Sequence, residues 1–223
     1  EGGSKYAAAL MSCGLRGGFG ILHRERVRRT RKHRITHQDI WLMRRVGAPV
    51  PSPDGKWVAF SVTEPAYDEK DQVSDLWICA TDGSTKPKRL THTAGGESGP
   101  AWSPDSRKLA FAAKREGDEV NQAYVIDLAS GGEAIKVTSL STGVSSPRWS
   151  PDGKMLLFVS TVFPGAADDE ANKKIAAERK AQKYKARVYE GFPIRRWDKW
   201  LDDTQVHLFV QALEPATKAK DLL

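Results

Sequence analysis

Apolar and polar side chains alternate in three short runs along the middle of the chain, each opened by the same polar turn. Val58, Phe60 and Val62 form one such run; Leu109, Phe111 and Ala113 a second; Leu156 and Phe158 a third. A period of two marks a β-strand with one face buried. The intervening positions Ala59, Ala110 and Leu157 are apolar as well. This predicts sheets covered on both faces, as a sheet lying between two neighbours would be.

The turn before each run is nearly the same. Residues 50–62 read VPSPDGKWVAFSV, residues 101–113 AWSPDSRKLAFAA and residues 148–160 RWSPDGKMLLFVS. Ser-Pro-Asp-Gly is a turn signal: Ser suits the first position, Pro presets φ at the second and Gly suits the fourth. Ser106 stands where the other copies have Gly55 and Gly153, so the second turn should be strained or of another type. Pro51 stands where the other copies have Trp102 and Trp149, which marks the first unit as modified. The turns begin at Ser52, Ser103 and Ser150. These steps suit a four-stranded propeller blade of about 40–50 residues.

Further strands follow each run in register. Residues 76–80 (LWICA), 123–128 (AYVIDL) and 208–213 (LFVQAL) place Trp77, Tyr124 and Phe209 at equivalent points. After a second turn come fourth strands at 88–91, 135–138 and 221–223. The prediction is an all-β fold: a partial β-propeller of about three four-stranded blades, with a helical insertion in the third. The blades are expected at about 47–92, 100–139 and 147–223. An open β-sandwich of repeated hairpins is the competing architecture, but radial repetition is the usual way to protect such sheets. Three blades cannot close a ring, so further blades are expected downstream, and the end sheets should expose apolar faces.

Two helical segments interrupt the strand pattern. Thr36 followed by Asp39 resembles a capped helix start, with Ile40, Met43 and Val46 lining one face and packing at the start of the propeller. The insertion spans residues 163–203. Its first part, 166–188, is rich in Ala, Glu, Lys and Arg without Gly or Pro and reads as a charged helix. Its second part carries Arg195-Arg196-Trp197-Asp198-Lys199-Trp200. The two Trp either clamp the insertion to the blade or form a lip over a substrate passage. In the second case Arg196, Trp197 and Asp198 are the candidate substrate-binding residues.

Composition adds one correction to this picture. The net charge of +7 suggests a nucleic-acid partner, yet all of it lies in residues 1–34, with nine basic and two acidic side chains. The body, residues 35–223, is balanced. The leader reads as a disordered segment or as sequence absent from the mature protein; a basic tail that binds anionic surfaces is the alternative. The mildly apolar stretch 6–15 lacks the flanks of a signal peptide. No run is long and apolar enough for a membrane-spanning helix. Cys13 and Cys79 suggest neither a disulfide framework nor a zinc site.

No catalytic set is legible. Gly95-Gly96-Glu97-Ser98-Gly99 lacks the Gly-x-Ser-x-Gly spacing and no helix follows it. The five His are scattered, and His33/His37 lacks the Glu of a helical zinc motif. Residues 168–170 (DDE) read as a helix start, not a calcium loop. No phosphate-binding glycine loop is present. Neither a cofactor nor a metal is expected.

The Ser-Pro-Asp-Gly units, Asp75-Leu76-Trp77, Arg115-Glu116-Gly117-Asp118 before Gln122, and Arg196-Trp197-Asp198 before His207-Leu208-Phe209 together resemble the prolyl oligopeptidase family. The likeness is to its dipeptidyl-peptidase and acylaminoacyl-peptidase branch, and it runs from about Ile35 to Leu213. The turn repeat alone is shared with TolB-like propellers. The resemblance implies an N-terminal propeller that caps a C-terminal α/β-hydrolase domain and admits short peptides to a Ser-Asp-His triad. No triad residue maps onto this sequence. Two functions follow as expectations: the gating part of a serine peptidase whose hydrolase domain lies elsewhere in the polypeptide, or a standalone TolB-like binding scaffold.

Overall fold

A computed structural model describes residues 34–223 except 69, 70, 94, 184–188, 190, 192, 193, 215 and 216. The basic leader therefore lies outside the described residues, apart from Arg34. The chain divides into two compact units, one ending at Glu97 and the other spanning Ser98–Leu223.

The first unit opens with helix α1 (His37–Trp41) and a sheet built from β1 (Arg45–Val46), β2 (Val50–Pro51), β3 (Trp57–Glu64), β4 (Val73–Ala80) and β5 (Lys88–Arg89). All its pairings are antiparallel, and β3 and β4 run together from Trp57↔Ala80 to Glu64↔Val73. The innermost strand is split into β1 and β2, which pair with different ends of β3. Gly47 lies at the break, with its N–H donating to Ser61 O at 2.8 Å. A Cβ there would run into Ser61 Oγ, so a larger residue would need that hydroxyl to turn away.

The capping box predicted for α1 is present: Thr36 Oγ1 accepts from Asp39 N, and Asp39 Oδ2 accepts from Thr36 N at 2.8 Å. Its predicted apolar face is not. Ile40 and Met43 are each 61% exposed, and Val46 is exposed too. Five residues are too few to turn one face inward, so Trp41 makes the contact instead. Its indole N–H donates to Ala66 O at 3.4 Å, and its ring stacks on Tyr67.

The second sheet contains β6 (Glu97–Trp102), β7 (Lys108–Ala113), β8 (Gln122–Asp127) and β9 (Ile135–Lys136), in that spatial order. The third contains β10 (Ser145–Trp149), β11 (Met155–Val162), β14 (Gln205–Ala212) and β15 (Lys220–Asp221), again in order. Helix α2 (Asp169–Ala181) and a two-stranded hairpin, β12 (Arg195–Arg196) and β13 (Lys199–Trp200), lie between β11 and β14. Three separate four-stranded antiparallel arrays, unclosed, make a partial β-propeller.

The Ser-Pro-Asp turn closes the first and second strands of every sheet in one way. The fourth residue's N–H donates to the Ser carbonyl at 2.9 Å in all three copies. The Ser hydroxyl, buried, donates to the Asp carboxylate and accepts from the first residue of the next strand: Trp57, Lys108 or Met155. The hydroxyl therefore acts as a pivot in addition to the turn propensity of its residue. The hydrogen bond from Ser103 holds the Asp105 carboxyl below the usual range, and Ser150 does the same for Asp152. Gly55 and Gly153 sit at φ +71° and +69°, and Ser106 at +60°. The second turn is thus of the same kind but strained, because a side chain at positive φ costs about 1–2 kcal/mol. Ser106→Gly is expected to raise stability by about 0.5–1 kcal/mol once glycine's entropy is subtracted. Urea unfolding of both proteins checks this; a lower midpoint for Ser106→Gly would contradict the strain.

The Leu-Thr positions of the first two sheets also gain a reason. Thr91 and Thr138 hydroxyls accept from Leu76 N at 2.9 Å and Ala123 N at 2.8 Å. Each continues the ladder where the two-residue outer strand ends. The third sheet has Leu223 at this register. There His207 Nδ1 meets Asp221 Oδ2 at 2.6 Å across β14 and β15.

Within the second unit, sheets two and three stack face to face. Ala110 and Ala123 of the second share a core with Leu156, Phe158, Val162 and Phe209 of the third, joined by Leu140 and Val144. Phe158 and Phe209 are cross-strand partners with rings 6.0 Å apart and 3° from parallel. Two cross-links fix the stack: Trp149 Nε1 donates to Ala101 O at 2.9 Å, and Gln211 Nε2 to Val137 O at 2.5 Å. Burial on both faces holds at Ala59 and Ala110 but fails at Leu157, which is half-buried.

Candidate functional site

The insertion in the third sheet is tied down at both ends. Asp168 caps α2 by accepting from Ala171 N at 2.8 Å. Asp169 accepts from the Ser141 amide and hydroxyl, and the buried Asn172 accepts from Phe163 N at 2.9 Å. At the far end, Arg179 reaches both carboxylate oxygens of Asp203, the first at 2.6 Å, while its guanidinium lies over the Phe163 ring at 4.5 Å. That hydrogen bond holds the Asp203 carboxyl well below its ordinary range. The helix is shorter than the 166–188 expected. It ends at Ala181, with Gln182 already extended. With Asn172 its one buried residue, the helix has no apolar stripe to extend its packing. Residues 184–188 lie outside the described residues.

Arg196, Trp197 and Asp198 are brought together at the tip of the β12–β13 hairpin. Arg195 pairs with Trp200 and Arg196 with Lys199, leaving Trp197 and Asp198 as a two-residue connection. Trp197 sits at φ +57°, where glycine is the usual occupant, and is 91% exposed. A bulky side chain there costs about 1–3 kcal/mol, and exposure returns none of it through packing. Arg195 braces the turn: its Nε donates to Trp197 O at 2.6 Å, and its guanidinium lies 5.7 Å from the Trp200 ring. Trp200 tilts against Tyr189, whose hydroxyl donates to Leu201 O at 2.9 Å. Leu201 N donates to Ile194 O at 3.0 Å, closing the hairpin's base.

The two tryptophans therefore do different things. Trp200, though 54% exposed, packs inside the insertion against Tyr189 and Arg195. Trp197, which the clamp reading also expected to anchor, is presented to solvent. Arg196 and Asp198 flank it and are exposed. The arrangement offers an aromatic face, a cation and an anion on a braced support, which is the make-up of a binding surface.

A second cluster lies on the β7–β8 connection, where the sequence offered Arg115-Glu116-Gly117-Asp118 without a role. The Asp118 side chain is buried and accepts from Tyr124 Oη at 2.6 Å, Lys136 Nζ at 2.5 Å and Arg115 N at 3.2 Å. Burial alone would raise its pKa; the hydrogen bonds from Lys136 and Tyr124 overrule this and hold it low. Burial, then the bond to Asp118, pushes Tyr124 up to about 12. The Arg115 guanidinium lies 4.8 Å from the Tyr124 ring centre. This cluster is a clamp joining a loop to β8 and β9. The signal for it was Asp118 six residues before an in-register aromatic, but a loop acid and an outer-strand lysine meet only once the sheet forms.

Among the described residues, no group of three or more His, Cys, Asp or Glu side chains could hold a metal ion, and no helix is long and apolar enough to cross a membrane.

Comparison with known proteins agrees with this architecture. Dipeptidyl-peptidase 5 of Porphyromonas endodontalis is 29% identical over 192 residues, covering 85% of this chain and 26% of its own length. The uncharacterized peptidase YuxL of Bacillus subtilis is 37% identical over 96 residues, 43% of this chain and 14% of that protein. The chain thus spans about a quarter or less of these curated relatives. Among solved structures, the uncomplexed acylaminoacyl peptidase of Pyrococcus horikoshii superposes with a TM-score of 0.56 at 19% identity, over 82% of this chain and 26% of that one. These likenesses fit the propeller portion of a prolyl oligopeptidase-type protein. Residues 32–183 match the TolB beta propeller domain, and the chain belongs to that family.

Proposed function

We propose that this chain is the substrate-gating propeller part of a serine peptidase that hydrolyses short peptides, with its catalytic α/β-hydrolase domain elsewhere in the same polypeptide. The blades exclude large substrates, and Arg196, Trp197 and Asp198 contact the peptide. The observation that carries the binding role is Trp197: strained at φ +57° and 91% exposed, with a brace from Arg195. Backbone strain that packing does not repay is a reason to look for function. The peptidase class rests on the relatives' names and on the sequence resemblance.

The test uses the full-length gene product. A fluorophosphonate probe is expected to label it, and Trp197→Ala is expected to raise KM for short peptides about tenfold, the usual scale for a lost aromatic contact, with kcat little changed. An intact, folded product that takes no label would remove the peptidase reading. Unchanged KM would remove the hairpin from the substrate path. A second reading, a standalone TolB-like scaffold, is favoured by the matching family being a propeller domain alone. It predicts no labelling and retained binding of a protein or peptide partner.

A further inference from the structure

The charge of the body is balanced only as a sum. Residues 173–199 carry ten basic and three acidic side chains, a net +7, while the rest of residues 35–223 carries sixteen basic and 23 acidic ones. The distal part of the insertion is thus cationic on an acidic body. The fold separates the two signs further. Acids at the base of the insertion are used internally: Asp168 caps α2, Asp169 holds Ser141 and Asp203 holds Arg179. Lys173, Lys174 and Lys180 on α2, Lys183 just beyond it and Arg196 at the hairpin tip are exposed, and none forms an ion pair with another described residue. On a helix of 3.6 residues per turn, Lys180 comes back to within about 20° of Lys173, while Glu178, the one acid of residues 173–183, lies about 140° away. Arg179 ties the end of this helix to Asp203, two residues beyond the Leu201–Ile194 closure of the hairpin.

We propose that the distal face of the insertion docks acidic peptide, so that the substrates it favours are short peptides carrying Glu or Asp. This deepens the reading of the chain as the propeller part of a peptidase and, as to substrates, rests on it. Arg196 offers a planar fork that fits a carboxylate. Trp197 offers an aromatic face to a side chain, and the exposed lysines supply a field that draws in further carboxylates. Asp198 decides between a peptide and a nucleic acid. Beside Trp197 at the tip, a carboxylate repels a phosphate backbone, yet it accepts from a peptide N–H or a terminal ammonium.

The experiment uses the full-length gene product and three hexapeptides that differ only in carrying three Glu, three Gln or three Lys. At low salt, kcat/KM is expected to be about tenfold higher for the Glu peptide than for the Gln peptide, and lowest for the Lys peptide. The preference should shrink to about twofold at roughly 0.5 M salt, where screening confines exposed charges to a few ångströms. Replacing three lysines together, Lys173→Glu, Lys180→Glu and Lys183→Glu, should lower the Glu-to-Gln ratio at least about fivefold. Deleting residues 1–34, which carry the same net charge, should leave that ratio unchanged. Equal rates for the Glu and Gln peptides, or a preference untouched by salt or by the lysine replacements, would overturn the proposal and leave the peptidase reading standing. Cleavage of none of the three would remove the peptidase reading. Anisotropy of fluorescein-tagged peptides then decides the docking: tighter binding of the Glu peptide, lost with the three lysines, supports it, and equal binding overturns it. Tighter binding of an oligothymidylate than of the Glu peptide would make a nucleic acid the occupant and overturn it as well.

Discussion

Phe158→Ala is expected to destabilise the protein by about 3–5 kcal/mol, the cost of emptying a fully packed aromatic site. Phe158 is 1% exposed, stacks on Phe209 within its own sheet and presses into the core shared with Ala110 and Ala123 of the neighbouring sheet. Both neighbours are backbone-fixed strands, so the cavity has little freedom to collapse. The informative control is the adjacent residue. Leu157 occupies the same strand with its side chain on the other face, half-buried. Leu157→Ala should cost about 1 kcal/mol in the isolated chain, in proportion to the smaller area it removes from water. Urea midpoints of the two variants measure the difference. Equal costs would mean that both faces are equally covered.

Asp118→Ala is expected to cost about 2–3 kcal/mol, since it strands a tyrosine hydroxyl and an ammonium group that the carboxylate satisfies. Lys136 is partly exposed and water can replace some of its loss, which keeps the figure below that of a fully buried pair. Asp118→Asn should cost less, because the amide oxygen still accepts. The pH dependence has a definite sign. A carboxyl held low in the folded state contributes stability that is fully present above its unfolded pKa of about 4 and is lost as pH falls through the lower folded value. The wild type should therefore lose more stability than Asp118→Asn between about pH 5 and pH 2. Tyr124 gives a separate readout: its ultraviolet titration near pH 12 should move toward 10 in Asp118→Ala, stopping short because burial still acts. An unmoved titration would separate the two side chains.

The blades were legible in the sequence because their signals are local and repeated. A Ser-Pro-Asp turn, a two-residue alternation and an in-register aromatic each need only a few neighbours to be read, and three copies confirm one another. Trp77, Tyr124 and Phe209 do occupy matching registers opposite Phe60, Phe111 and Phe158. Where a feature depended on what lay across space, the sequence was silent or misleading. Ile40, Met43 and Val46 have helical spacing, yet α1 ends before it can use them, and Trp41 docks instead. Leu157 has the composition of a doubly covered strand but is half-buried. The difference between Trp197 and Trp200 depends on backbone conformation at one residue, which spacing does not encode. The Asp118 clamp joins residues from a loop and two strands, and only the folded register brings them together.

The measurement that bears most directly on the repeat is a set of backbone proton contacts by nuclear magnetic resonance in the 223-residue chain. Amide and α-proton contacts are predicted between β3 and β4, β7 and β8, and β11 and β14, with only side-chain contacts linking Ala110 and Ala123 to Phe158 and Phe209. Backbone contacts between β7 and β11 would place two of the hairpins in one continuous sheet and contradict the propeller.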